Sequence, residues 1–214
     1  MKRRVVCFGD SNTWGFNAKT SERYPEDIRW TSLLAELLGG EFQVIEEGLS
    51  GRTSVLDDPL FEGLNGYTYI HPCLMSHMPL ELVIIMLGTN DTKERFHLTS
   101  YNIAQGIVRL SLKAKNTPAG LDGTCPKVLV IVPPPIDKRY INTEVNKSMG
   151  RECDMKSEDL SKHLIELLEL QGTEFLDTKG LVEMNKVDFM HLDEVGHKQL
   201  SQLVFRKIKS ILLF

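Results

Sequence analysis

The chain has 214 residues, 42% hydrophobic and 25% charged, with a formal net charge of −4. That length suits one domain, 1–214, with a substantial core. The mildly acidic balance, with no basic run beyond Lys2-Arg3-Arg4, speaks against a nucleic-acid partner, which needs a clustered cationic surface. No apolar run approaches a membrane span or a signal-peptide core. Cys7, Cys73, Cys125 and Cys153 are scattered, with no C-x-x-C pair. They read as reduced thiols in a cytoplasmic protein, and their spacing offers no clustered ligands for structural zinc.

Val5-Val6-Cys7-Phe8 is short, apolar and free of polar alternation, the pattern of a buried strand. It runs into Gly9-Asp10-Ser11-Asn12-Thr13-Trp14-Gly15, a polar turn with glycine at both ends. A polar loop through Tyr24, Pro25 and Asp27 leads to residues 30–38, apolar at helical spacing until Gly39-Gly40 stops them. Phe42-Gln43-Val44-Ile45 is a second strand, followed by Gly48-Leu49-Ser50-Gly51-Arg52-Thr53. Residues 57–79, broken by glycine and proline, read as loop plus one short helix near 67–77. Leu82-Val83-Ile84-Ile85-Met86-Leu87 fits a strand buried on both faces and ends in Gly88-Thr89-Asn90-Asp91. A helix over 99–115, a strand Val128-Leu129-Val130-Ile131-Val132, a polar irregular stretch over 136–153, a helix over 154–170, a strand Glu174-Phe175-Leu176 and a helix over 194–212 complete the chain. Strands alternating with helices predict a mostly parallel sheet inside a three-layer α/β/α domain.

Three of these strands end in polar glycine turns. In a parallel sheet the three ends share one edge, where ligands bind. Ser11 is placed there as a nucleophile. Acyl transfer also needs a base, a group that orients it, and donors for an oxyanion. Asn90 offers a side-chain amide, Gly51 and Ser11 offer backbone N–H groups, and a residue without a Cβ permits close approach. Of six histidines, only His191 has a carboxylate three residues earlier in a loop just before the last helix, Asp188. That spacing lets Asp188 take the Nδ1 proton and leaves Nε2 to face Ser11.

In these four segments the chain resembles the SGNH hydrolases, the GDSL-type esterase superfamily. The blocks are Gly9-Asp10-Ser11-Asn12, Gly48-Leu49-Ser50-Gly51-Arg52-Thr53, Gly88-Thr89-Asn90-Asp91 and Asp188-Phe189-Met190-His191, in the family's order, with Asn12 where leucine is frequent. The longer match through Thr13-Trp14-Gly15 and Arg29-Trp30-Thr31 is similar to the arylesterase/acyltransferase and carbohydrate acetylesterase branch. The resemblance implies a flavodoxin-like five-stranded sheet, a triad of Ser11, Asp188 and His191, and an oxyanion hole from Ser11, Gly51 and Asn90. It also implies a small-molecule ester substrate, no cofactor and a homo-oligomer. Asn12, Trp14 and Phe16, close after the nucleophile, are candidate substrate-binding residues. His71, His77 and His197 read as structural, and Asp10 as a partner of its own loop.

Two other classes stay open on the residues. One is a phosphate- or nucleotide-binding flavodoxin-like module using the turn at Ser11, although G-x-G-x-x-G and a P-loop are absent. The other is a non-catalytic sugar-binding or scaffold protein on the same fold.

Overall fold

The structure, a computed structural model, describes residues 2–213. In chain order its elements are β1 (Arg3–Gly9), α1 (Ser11–Trp14), β2 (Phe16–Asn17), β3 (Glu22–Arg23), α2 (Trp30–Leu38), β4 (Phe42–Gly48), α3 (Gly66–His77), β5 (Leu82–Met86), α4 (Ser100–Lys115), β6 (Lys127–Val132), α5 (Asn146–Met149), α6 (Cys153–Leu170), β7 (Glu174–Asp177) and α7 (Glu194–Leu212). β4, β1, β5, β6 and β7 lie side by side in that order, every neighbouring pair parallel. This is the order of a flavodoxin-like sheet, with the reversal at β1 opening a crevice at the strand ends.

Alternation along the strands divides the core in two. Val6 and Phe8 of β1, Val83 and Ile85 of β5, and Val128, Val130 and Val132 of β6 face one side, where Ile70 of α3, Ile103 and Ile107 of α4, and Leu160 and Leu164 of α6 cover them. Val5, Cys7, Leu82, Ile84, Met86, Leu129 and Ile131 face the other, under Trp30 and Leu34 of α2 and Leu200, Val204 and Ile208 of α7. A strand with a helical layer on each face has no polar side to show, which is why its sequence reads as an unbroken apolar run. Truncating a fully buried side chain such as Phe8 to alanine would cost about 3–5 kcal/mol.

Register sets the active edge. Gly9 lies opposite Gly48 on one side and Met86 on the other, so β1, β4 and β5 finish level. A Cβ on Gly48 would stand 2.2 Å from the Trp14 backbone nitrogen. Only glycine there lets the end of β4 press against the turn that carries Ser11.

The elements expected from the sequence are present, with four differences. β4 runs on to Gly48, past its expected end at Ile45. β1 is longer at both ends than its apolar centre. Part of the polar loop after Ser11 pairs β2 with β3, Phe16 opposite Arg23. The polar stretch over 136–153 is more ordered than its composition suggests: it holds α5 and buries Ile136, Tyr140 and Met149 against Cys153 and Met190. No described helix is long and apolar enough to cross a membrane.

Candidate active site

Ser11 opens α1, directly after the end of β1. Asp10 caps the turn, its Oδ1 accepting from Asn12 N at 3.0 Å. This buried carboxylate already takes an amide N–H that an anion at this turn would use, which disfavours the anion-binding reading. Burial pushes the Asp10 carboxyl up, against the lowering effect of the Asn12 N–H, to about 6.

His191 arrives from the loop before α7. Its Nε2 accepts from Ser11 Oγ–H at 2.9 Å, and its Nδ1–H donates to Asp188 Oδ2 at 2.6 Å. All three residues are buried, between 5% and 8% exposed. The remaining Asp188 oxygen accepts from Met190 N, His191 N and Asn185 Nδ2, at 3.1, 3.1 and 2.7 Å. Burial pushes the Asp188 carboxyl up, but the His191 hydrogen bond and charge, with the Met190 N–H and Asn185, outweigh it and hold it at about 2. An ionised Asp188 fixes the proton on Nδ1 and frees Nε2 to act as a base. The loop that delivers both groups is tight. Phe189 takes a left-handed backbone, φ 63°, unusual for a bulky residue and typical of constrained functional turns. Two residues past His191, Asp193 Oδ1 caps α7 through Val195 N and Gly196 N.

Over Ser11 lies a cavity of about 440 Å³, with Gly51, Asn90 and His191 among its polar lining and Phe16, Leu64, Met149 and Met190 among its apolar walls. Gly51 has φ 88°, a backbone that favours glycine. Asn90 Nδ2 is buried without a hydrogen-bond partner. A buried orphan donor costs stability and calls for an explanation. Asn90 and Ser11 line the same cavity, and an unpartnered donor in such a place suits charge that appears only during a reaction. The Asn90 and Gly51 turns are tied together from below: both Asp91 carboxylate oxygens accept from Ser54 N, at 3.0 and 3.1 Å, and Ser54 Oγ–H donates as well. Burial raises the Asp91 carboxyl against these hydrogen bonds.

The GDSL-like lipase/acylhydrolase family profile matches residues 7–199. The chain belongs to that family. It is a carboxylic ester hydrolase of the SGNH type, with the parallel five-stranded sheet of that fold. Among solved structures it is similar to the M. smegmatis aryl esterase, 37% identical with a TM-score of 0.90, covering 97% of this chain and 99% of that one. It is similar to Est24, a carbohydrate acetylesterase from Sinorhizobium meliloti, 40% identical with a TM-score of 0.88 over 98% and 100% of the two chains. A carbohydrate acetylesterase family member from the same organism matches at 30% identity and a TM-score of 0.90, over 99% and 100%. Among curated proteins, none matches the sequence.

Of the residues read from sequence in this GDSL-family hydrolase, Ser11, Asp188 and His191 come together in one relay, and Gly51 and Asn90 reach the same cavity. Phe16 lines it and packs on His191, ring centroids 4.5 Å apart. Asn12 and Trp14 are not among the residues that line the cavity. Asn12 is 3% exposed and spends its amide on the base loop: Nδ2–H donates to Met190 O at 3.2 Å and Oδ1 accepts from Leu192 N at 2.9 Å. Trp14 instead carries the Arg23 guanidinium 5.4 Å over its ring. His197 is structural as expected, its Nδ1 accepting from Trp30 N at 3.2 Å.

Four further groups were given no role from the sequence. Asn185 holds Asp188 and the His191 carbonyl through one amide nitrogen. Arg52 lies over the Phe8 ring at 4.1 Å and donates to Gly9 O at 3.0 Å and to Glu47 O. Lys93 and Arg95 line the cavity and meet Asp58 Oδ2 at 3.8 and 2.6 Å. Asn185 stands three residues before Asp188, a spacing that repeats the one from Asp188 to His191 and is the signal available for it. The sequence reading found no clustered ligands from the spacing of the cysteines. The fold gathers Glu47, Cys73 and His77, whose ligand atoms lie within 4.8 Å of one another.

Proposed function

We propose that this hydrolase is a serine esterase acting on short-chain, acetyl-type esters of small alcohols, aryl alcohols or sugars through Ser11, His191 and Asp188. One observation carries the reading: an unbroken relay from Asp188 to His191 to Ser11, at 2.6 and 2.9 Å. His191 Nε2 takes the Ser11 proton as Oγ attacks the ester carbonyl. The oxyanion meets the Ser11 and Gly51 backbone N–H groups and Asn90 Nδ2, one such donor being worth about 3 kcal/mol. Asp188 stabilises the imidazolium without taking its proton. Collapse of the tetrahedral adduct breaks the bond to the leaving alcohol, which receives the proton from His191. Water, activated by the same nitrogen, then releases the acid from Ser11. An alcohol in place of water gives acyl transfer, which the apolar walls favour by excluding water.

The small cavity, walled by Phe16, Leu64 and Met149, supports short acyl chains. The aryl esterase and carbohydrate acetylesterase likenesses support aryl and sugar acetates. Exposed Leu60 and Phe61 at 69% and 60% support a homo-oligomer, which light scattering tests. Four free cysteines suit a cytoplasmic setting. The deciding experiment is kcat/KM over a series of p-nitrophenyl esters, phenyl acetate and acetylated sugars. Acetate esters are expected to exceed octanoate by about tenfold or more. Equal rates along the series would reject the short-chain assignment, and no turnover of any ester would reject the function.

A further inference from the structure

Where the end of β4 meets α3, a second polar cluster stands apart from the relay. Tyr69, Cys73 and His77 fall four residues apart in α3 and therefore share one helix face. That face turns toward Glu47, the next-to-last residue of β4. The Glu47 carboxylate accepts from His77 Nε2–H at 2.7 Å, and its other oxygen accepts from Tyr69 Oη–H at 3.3 Å. Cys73, between them in the stripe, is 1% exposed. The carboxylate oxygen, Cys73 Sγ and the His77 ring nitrogen lie within 4.8 Å of one another. None of the three residues lines the cavity over Ser11.

We propose that Glu47, Cys73 and His77 form a binding site for one Zn²⁺ ion, through one oxygen, one sulfur and one nitrogen, with the fourth position open to water.

The donor set selects the metal. A thiolate and an imidazole suit zinc, whereas Mg²⁺ and Ca²⁺ take oxygen ligands. Three protein ligands and a solvent position are a regular zinc arrangement. Bonds of about 2.0–2.3 Å put tetrahedral ligand atoms some 3–4 Å apart, so the widest separation here must contract and the Glu47–His77 hydrogen bond must open. The room for this exists: His77 is the last residue of α3, and the His77 and Glu47 side chains are 31% and 18% exposed. On binding, the Cys73 S–H bond gives its proton to solvent and the sulfur pair goes to the metal. The His77 proton moves to Nδ1, leaving Nε2 as ligand. Thiolate and carboxylate together balance the two charges of the ion. Uptake of the ion with loss of the Cys73 proton takes the site from one negative charge to neutral, so the neighbouring cation, Arg52, which lies 5.4 Å over the Tyr69 ring, faces no net positive charge. Tyr69 orients the carboxylate from outside the ligand set, a regular accompaniment of metal sites. Glu47 leads into Gly48 and the turn that carries Gly51, so the ion would pin α3 to the strand that ends beside the oxyanion donors.

The test titrates the full-length, EDTA-treated protein with Zn²⁺ and, as a spectroscopic probe, with Co²⁺, whose near-ultraviolet charge-transfer band requires a thiolate ligand. One ion per chain and that band are expected for the wild type and for Cys125→Ser, which removes the exposed thiol. Cys73→Ser loses the band, and His77→Ala, at the partly exposed helix end, loses stoichiometric zinc. Tyr69→Phe keeps the site but weakens it by about tenfold. A wild type that takes up no ion, a band that survives Cys73→Ser, a band that disappears in Cys125→Ser, or full zinc retention in His77→Ala would each overturn the proposal.

Discussion

Replacing Asn12 with leucine, the residue frequent at this position of the motif, tests whether the base loop is held from the nucleophile turn. The Asn12 amide bonds the residues on either side of His191, Met190 O at 3.2 Å and Leu192 N at 2.9 Å. Met190 and Leu192 are 2% and 1% exposed, so water does not replace the lost partner. Each hydrogen bond contributes about 1 kcal/mol net, and each stranded buried group costs about 1–3 kcal/mol. Asn12→Leu should therefore lose about 3 kcal/mol of stability, read from urea unfolding. The same release lets His191 drift from Ser11. A displacement on the scale of an ångström costs about a hundredfold in rate, so kcat for p-nitrophenyl acetate should fall about 10–100-fold. KM should change little, because Asn12 does not line the cavity. A folded Asn12→Leu enzyme with wild-type kcat would refute the clamp.

Asn90→Ala should lower kcat by about 10²–10³-fold. Its melting temperature should stay level or rise, because an unpartnered buried donor is removed; a loss of stability with activity retained would contradict the oxyanion role. Asp10 and His197 give opposite pH slopes. Burial holds the Asp10 carboxyl at about 6 instead of 3.8, so its stabilising contribution is complete below about pH 4 and lost as pH rises through 6. Burial holds His197 at about 4 instead of 6.5, so its contribution is complete above 6.5 and lost as pH falls through 4. Each amounts to about 3 kcal/mol, and in the wild type they offset between pH 4 and 6.5. Asp10→Asn removes one of them, so its unfolding free energy should fall by about 3 kcal/mol more than the wild type's between pH 7 and pH 4. Parallel pH curves for the two proteins would refute the assignment.

The fold was legible because each central strand is covered on both faces. Val5 to Phe8, Leu82 to Met86 and Val128 to Val132 carry that burial as uninterrupted apolar runs, and the glycine turns that follow the first two mark the edge where the cavity lies. The relay was legible because Asp188 and His191 are three residues apart and Ser11 sits at a strand end. What sequence spacing does not carry is direction. Asn12 and Trp14 follow Ser11 closely, yet the one-turn helix α1 aims Asn12 at the base loop and Trp14 toward Arg23. Phe16, two residues further, turns back over His191. The order within 136–153 depends on Tyr140 and Met149 packing on Cys153 and Met190, contacts with no local period. Glu47, Cys73 and His77 meet through the crossover from β4 to α3, which no local ligand spacing announces.

The central claim is that Ser11 carries the acyl group. Mass spectrometry of the protein quenched during turnover of p-nitrophenyl acetate tests it most directly. The account predicts one acetyl adduct, on the peptide containing Ser11, absent in Ser11→Ala together with ester hydrolysis. An acetyl group on another residue, or undiminished hydrolysis by a folded Ser11→Ala protein, would contradict it.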